Sequence, residues 1–267
     1  LTVSKANQTP LTVTSANSVV WGTPLSLTAT GGTLTGIVWT KVSGSNCSVT
    51  SASLASTGGG TCVVSATISG DNRYNDVTTG NFTVTLDRQT QTALAWGNAV
   101  PTSVDYLGSA TLSVTGGSGS GAVVYTASQQ STCSTASNIL TAGDAASLCE
   151  VVATKAGDTD YLPASTSTRT FTIVRIAQDP LSFANADSLV FGDTLTLFAT
   201  GGSGDGALSY SISNAGTAGC SLAGDVVSVS TAGTCVVQAQ KQSSSNYLAG
   251  TAITQTLTVS KAIQSLS

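Results

Sequence analysis

The chain has 267 residues, with 9 Lys or Arg, 13 Asp or Glu and no His, for a net charge of -4. So few and so dispersed basic residues argue against a nucleic-acid groove, and no apolar run approaches the roughly 18 residues of a membrane-spanning helix. The lack of His removes the commonest general base and metal ligand, while a hydrophobic fraction of 40%, together with abundant Val, Thr, Leu and Ile, favours strands over disorder.

Taken in order, the chain repeats. Leu1-Thr2-Val3-Ser4-Lys5 recurs as Leu257–Lys261, so 1–5 reads as the end of a preceding repeat. Repeats then run over 6–88, 89–175 and 176–261, and 262–267 reads as the start of another. A fixed period of this size means tandem modules. The chain is therefore expected to be a slice of a longer array, with any export signal or anchor elsewhere.

Each module opens on Gln and a short alternating strand, Leu11-Thr12-Val13, Leu94-Ala95-Trp96 or Leu181-Ser182-Phe183. Alternation places Leu11 and Val13 on one face. Trp21-Gly22, Tyr106-Leu107 and Phe191-Gly192 lead into a second strand, read as one piece over Leu25–Ala29 in the first module. Gly31-Gly32, Gly116-Gly117 and Gly201-Gly202 stop it and turn the chain. A strand with Trp39, Tyr125 or Tyr210 follows, then a shorter one near the first Cys. The next strand starts at the second Cys, as in Cys62-Val63-Val64-Ser65-Ala66. A polar loop carries Tyr74, Tyr161 or Tyr247, and a last strand such as Phe82–Leu86 closes the module. About seven strands per module, with frequent turn signals, predict an all-β antiparallel sandwich.

The six cysteines fall two per repeat, Cys47 and Cys62, Cys133 and Cys149, Cys220 and Cys235. That distribution predicts one bridge inside each module and an oxidising, extracellular location. With no His and no Cys-x-x-Cys, zinc is not expected. The junctions 84–94 and 171–179 contain no Gly and no Pro, unlike a flexible linker. The modules are thus expected to stack stiffly into a rod, each adding about 40 Å if strands of ten residues rise roughly 3.4 Å each.

The unit Cys149-Glu150-Val151-Val152-Ala153 through Gly157-Asp158-Thr159-Asp160-Tyr161-Leu162-Pro163 has degenerate copies from Cys62 and Cys235. It resembles the bacterial immunoglobulin-like repeats found in tandem in large secreted and surface proteins, and the resemblance covers nearly the whole chain. It implies three tandem immunoglobulin-like sandwiches of the kind that build stalks, adhesin extenders and surface fibres. The chain departs from the antibody pattern, because Trp39 precedes both cysteines and Tyr74 follows the second. Antibody-like binding loops are therefore not expected.

The cations Lys5, Arg88, Arg175 and Lys261 each have a Gln three residues on, Gln8, Gln91, Gln178 and Gln264. They are expected at the module junctions, bonding across them. Asp71 with Asp76, and Asp158 with Asp160, could clamp a calcium ion. Repeat three has Ser243-Ser244-Ser245-Asn246 there, which favours Asx turns instead. Tyr74, Tyr161 and Tyr247 read as rings plugging the module ends rather than a sugar-binding stripe. Glu150 is the single Glu, so a repeated pair of catalytic carboxylates is not expected. The sequence therefore predicts a non-catalytic structural section without cofactors or metal. Its partners would be neighbouring repeats, with like chains in a fibre as a variant. The alternative is a carbohydrate- or receptor-binding module of an adhesin.

Overall fold

The computed structural model describes residues 2–129, 132–145 and 148–263. Among them there are 29 strands and no helix. They gather into two compact units. The first is Leu1–Ala99 with Ser113–Thr126 and Val152–Thr168, and the second is Val100–Leu112 with Ala127–Val151 and Arg169–Ser267.

The first unit shows how the sequence pattern becomes a sandwich. Its first ten strands are β1 Thr12–Val13, β2 Ser18–Val20, β3 Leu25–Ser26, β4 Ala29–Thr30, β5 Val38–Ser43, β6 Cys47–Thr50, β7 Ser53–Ser56, β8 Gly60–Ile68, β9 Val77–Thr78 and β10 Phe82–Asp87. One sheet has the order β2-β10-β8-β5, with β9 also on β8, and a second has β3-β7-β6. A short ribbon pairs β1 with β4. Central strand β8 alternates as its sequence requires, with Cys62, Val64, Ala66 and Ile68 buried. They pack in one core with Leu54 of the facing sheet and Val84 of the neighbouring strand β10. Removing the Val, Leu and Ile side chains among them from water contributes about 1.5–3 kcal/mol each.

Leu25–Ala29 is not one strand. Leu25 and Ser26 pair with β7, whereas Ala29 pairs with β1. The ladder partner changes at Leu27 and Thr28, where the Leu27 N–H donates to the Ala52 carbonyl and the Thr28 N–H to Ser15 Oγ. Alternation runs unbroken through such a switch, because Leu27 still points into the core, 3% exposed. The stop at Gly31 is steric as well as conformational. Its φ is +105° and a Cβ there would meet the Pro10 carbonyl oxygen. Nor is the pairing all antiparallel, since β2 lies parallel to the end of β10, Ser18 beside Thr85.

The second unit repeats these features. Ser188–Val190 lies parallel to the end of Ile253–Ser260, and Ser103–Asp105 to Thr172–Val174. Leu189, Leu197, Val227, Val237, Leu257 and Val259 form its main buried cluster. Gly233–Lys241 plays the part of β8, paired with Leu208–Asn214 on one side and Ile253–Ser260 on the other.

Three disulfides join Cys47 to Cys62, Cys133 to Cys149 and Cys220 to Cys235. Cys47 and Cys62 lie on β6 and β8, which belong to different sheets, so the bridge ties the two layers. The fold is all-β, three tandem immunoglobulin-like sandwiches with one internal disulfide each.

Candidate functional site

The chain's most specific geometry lies where one repeat meets the next, and each meeting falls inside one compact unit. In the first unit the Trp21 ring stands edge-on to Tyr161, with centroids 5.6 Å apart and planes at 82°. Aromatic pairs favour this arrangement. Trp21 Nε1 donates to the Asp160 carbonyl at 2.6 Å, and the Gln89 N–H donates to the same oxygen at 2.9 Å. The Gln89 amide returns a bond to the Trp21 carbonyl at 2.8 Å. The Asp160 carboxylate accepts the Gly59 N–H at 2.7 Å. Gly59 is required here by close approach, because a Cβ would run into the Thr159 carbonyl oxygen.

The second unit builds the same lock from different residues. Tyr106 stands edge-on to Tyr247 at 5.5 Å and 76°. The Asn246 side-chain oxygen accepts the Ala145 N–H at 2.7 Å, in the place of Asp160. The Ile176 N–H donates to the Asn246 carbonyl, and the Leu248 N–H to the Ile176 carbonyl. Ala6, Gln89 and Ile176 each form a parallel bridge with Tyr74, Tyr161 and Tyr247, so every Tyr loop is sewn to its incoming chain.

Asx turns shape these loops. The Asp71 carboxylate accepts the Arg73 and Tyr74 N–H groups, which holds its pKa below the usual range. Asp158 accepts the Ser120, Asp160 and Tyr161 N–H groups and the Ser120 hydroxyl, and is lowered to about 2, the Ser120 N–H contributing most. Asp76 accepts the Gly70 N–H. Their oxygens are directed at backbone donors rather than at one another. Among the described residues no group of three or more His, Cys, Asp or Glu is placed to hold a metal ion.

The sequence-predicted junction residues divide. Arg88 donates to the Asp158 carbonyl at 3.5 Å. Lys5, Arg175 and Lys261 are exposed. Gln8 is buried, donates to the Ile68 and Asn75 carbonyls and accepts the Thr33 and Leu34 N–H groups. Gln91 donates to the Ala156 and Leu162 carbonyls, and Gln178 to those of Gln242 and Leu248. Each Gln thus fastens the entering segment to loops about 60–70 residues further along. Gln264 lies outside the described residues. Nothing in the sequence marks Trp21, Gln89, Asp160, Gly59 and Asn246 as a bonded set. The recurring aromatic ahead of the second strand was the available signal.

No family model matches the chain, and no curated protein does. Among solved structures it is similar to domains 1–6 of the surface layer protein SbsC, at 15% identity and TM-score 0.28, over 98% of this chain and 41% of that one. It is also similar to the N-terminal eight immunoglobulin domains of Down Syndrome Cell Adhesion Molecule, at 11% identity and TM-score 0.38, over 95% and 37%. Fibronectin(III)-like modules of CbhA from Clostridium thermocellum match at 12% identity and TM-score 0.26, over 63% and 94%. The chain thus spans about two fifths of the SbsC structure it resembles.

Proposed function

We propose that this chain is a structural, non-catalytic section of a bacterial extracellular or cell-surface protein, serving as an adhesin-type stalk or a self-assembling surface fibre. The observation that carries this reading is the junction lock. At both meetings an aromatic ring is packed edge-on against a loop Tyr and the crossing chain is hydrogen-bonded, with neither Gly nor Pro in the segments 84–94 and 171–179. Such a junction passes load from one sandwich to the next instead of absorbing it. The disulfides support an oxidising location and hold the layers of each sandwich together under load. The boundaries 6–88, 89–175 and 176–261 are the modules of this proposal.

Electron microscopy of the protein at a range of concentrations tests it. Slender particles with a repeat near 40 Å, about ten residues of strand at roughly 3.4 Å each, or ordered filaments built from them, are expected. Particles that bend freely at the junctions would overturn the reading. Retention on a glycan array that disappears on substitution of one repeat's aromatic residues would instead support a carbohydrate-binding module.

A further inference from the structure

The two locks share a frame but not its hydrogen bonds. Ser120 of the first corresponds to Asp205 of the second, and Asp158, Thr159 and Asp160 correspond to Ser244, Ser245 and Asn246. In the first lock the protein satisfies its own polar groups. Trp21 Nε1 donates to the Asp160 carbonyl. The Asp158 carboxylate accepts both the Ser120 N–H and the Ser120 hydroxyl. In the second lock the acid and the serine have changed places, and the bond between them is not remade. The Asp205 carboxylate and the hydroxyls of Tyr106, Tyr247, Ser244 and Ser245 bond nothing among the described residues, and Asn246 uses only its side-chain oxygen. These unbonded groups converge. Together with Asp144 they line one open hollow of about 570 Å3 within the second unit. Small-molecule sites have volumes of this order. Asp144 precedes Ala145 as Gly58 precedes Gly59 in the first lock, so a carboxylate stands at this rim where the other lock has none.

The chemistry of the lining narrows the ligand. Two Tyr rings give apolar faces with polar tips. Around them stand carboxylate acceptors, an amide donor and hydroxyls that do both. A ligand suited to all of these has C–H faces and a dense set of hydroxyls. No third acid completes a metal site among the described residues. An anion would be repelled by Asp144 and Asp205, with no Lys or Arg in the lining. We propose that this hollow binds a neutral saccharide, held against Tyr106 and Tyr247, its hydroxyls donating to the Asp205 carboxylate and accepting from the Asn246 amide. Hydrogen bonds to a carboxylate are among the stronger kind. Tyr106 belongs to the second repeat and Tyr247 to the third, so the site exists only where the two meet. In this it differs from a carbohydrate-binding module, whose aromatic residues sit on one repeat. It goes beyond the stalk reading without replacing it, because a sugar seated here leaves the ring contact and the crossing hydrogen bonds in place.

Isothermal titration calorimetry of the whole chain tests it, with lactose, maltose, cellobiose and N,N′-diacetylchitobiose as neutral probes and sialyllactose as the anionic counterpart of lactose. At least one neutral sugar should bind with a Kd of about 1 mM, as befits an open site, and sialyllactose about tenfold more weakly or not at all. Asp205→Ala, and Tyr247→Phe, which keeps the ring, should each weaken binding about tenfold, the scale of one lost hydrogen bond. Asp205 is exposed and unbonded, so its replacement should leave the melting temperature unchanged. Absence of heat with every neutral probe at about ten times that Kd would overturn the proposal. So would binding indifferent to Asp205→Ala, or sialyllactose bound as well as lactose. Particle shape in electron microscopy does not depend on these results, so this site and the stalk reading fail separately.

Discussion

Replacing Cys47 and Cys62 together by Ala removes the tie between the two layers of the first sandwich. The bridge closes a loop of 15 residues. A loop of that size should stabilise the module by about 3 kcal/mol. For a domain of about 85 residues this lowers the melting temperature by roughly 12–24 °C, at about 4–8 °C per kcal/mol. The bridge also hides chain length. At about 3.5 Å per residue an extended stretch of this loop spans roughly 52 Å, against a Cα–Cα distance of 6.1 Å in the folded protein. Pulling the protein by its ends with an atomic force microscope should therefore show one of three unfolding steps lengthened by about 46 Å, from the same extended-chain value. Reducing the unsubstituted protein, which keeps the side-chain volume in place, should lengthen all three steps by about 46–50 Å on that basis. Unchanged step lengths would refute the pairing of Cys47 with Cys62. An unchanged melting temperature would refute the claim that the tie stabilises.

At the first junction, a double-mutant cycle of Trp21→Ala with Tyr161→Ala should return a coupling of about 0.5–1.5 kcal/mol in chemical denaturation. Trp21→Phe should keep the ring contact and lose only the bond to the Asp160 carbonyl; a coupling near zero would mean the rings only touch. Gln8→Ala should cost about 1–3 kcal/mol, because the Thr33 and Leu34 N–H groups lose their acceptor. Gln91→Ala and Gln178→Ala should cost less, since their Oε1 atoms accept no bond among the described residues; equal losses would show that the donated bonds dominate instead. Asp158 has a folded pKa depressed from 3.8 to about 2. Its contribution is therefore fully present at neutral pH and is lost as pH falls from 3.8 toward 2. Asp158→Asn should flatten the acid limb of stability in that window, measured by denaturation at a series of pH values. An acid limb as steep as the wild type's would assign it to other carboxylates.

The layers of the fold were readable because burial and alternation share one cause. A strand with one face in the core must alternate, and Cys62, Val64, Ala66 and Ile68 do so without interruption. The break at Leu27 was not readable, because a strand can change hydrogen-bond partners without changing which residues face inward. The junction set was hidden for a related reason. Much of each lock is backbone, so Gln89 and Ile176 make the same bridge with unrelated side chains. Where a side chain does act, Asp160 and Asn246 share an acceptor oxygen rather than a residue identity. The Gln marker recurs more strictly because each Gln is bonded to loops of its own repeat and has no such freedom.

The parallel pairing of β2 with the end of β10 bears on how a module yields. These are an early and the last strand of the first sandwich, running side by side in one direction. Tension applied at the module's two ends drags them past each other along their length. Ser18 beside Thr85, Val19 beside Leu86 and Val20 beside Asp87 are then strained in shear, all at once, rather than peeled open one after another. Ser188–Val190 against Thr258–Ser260 presents the same clamp in the third sandwich. A short patch of three facing residues can in this way set the force at which some eighty others begin to unravel.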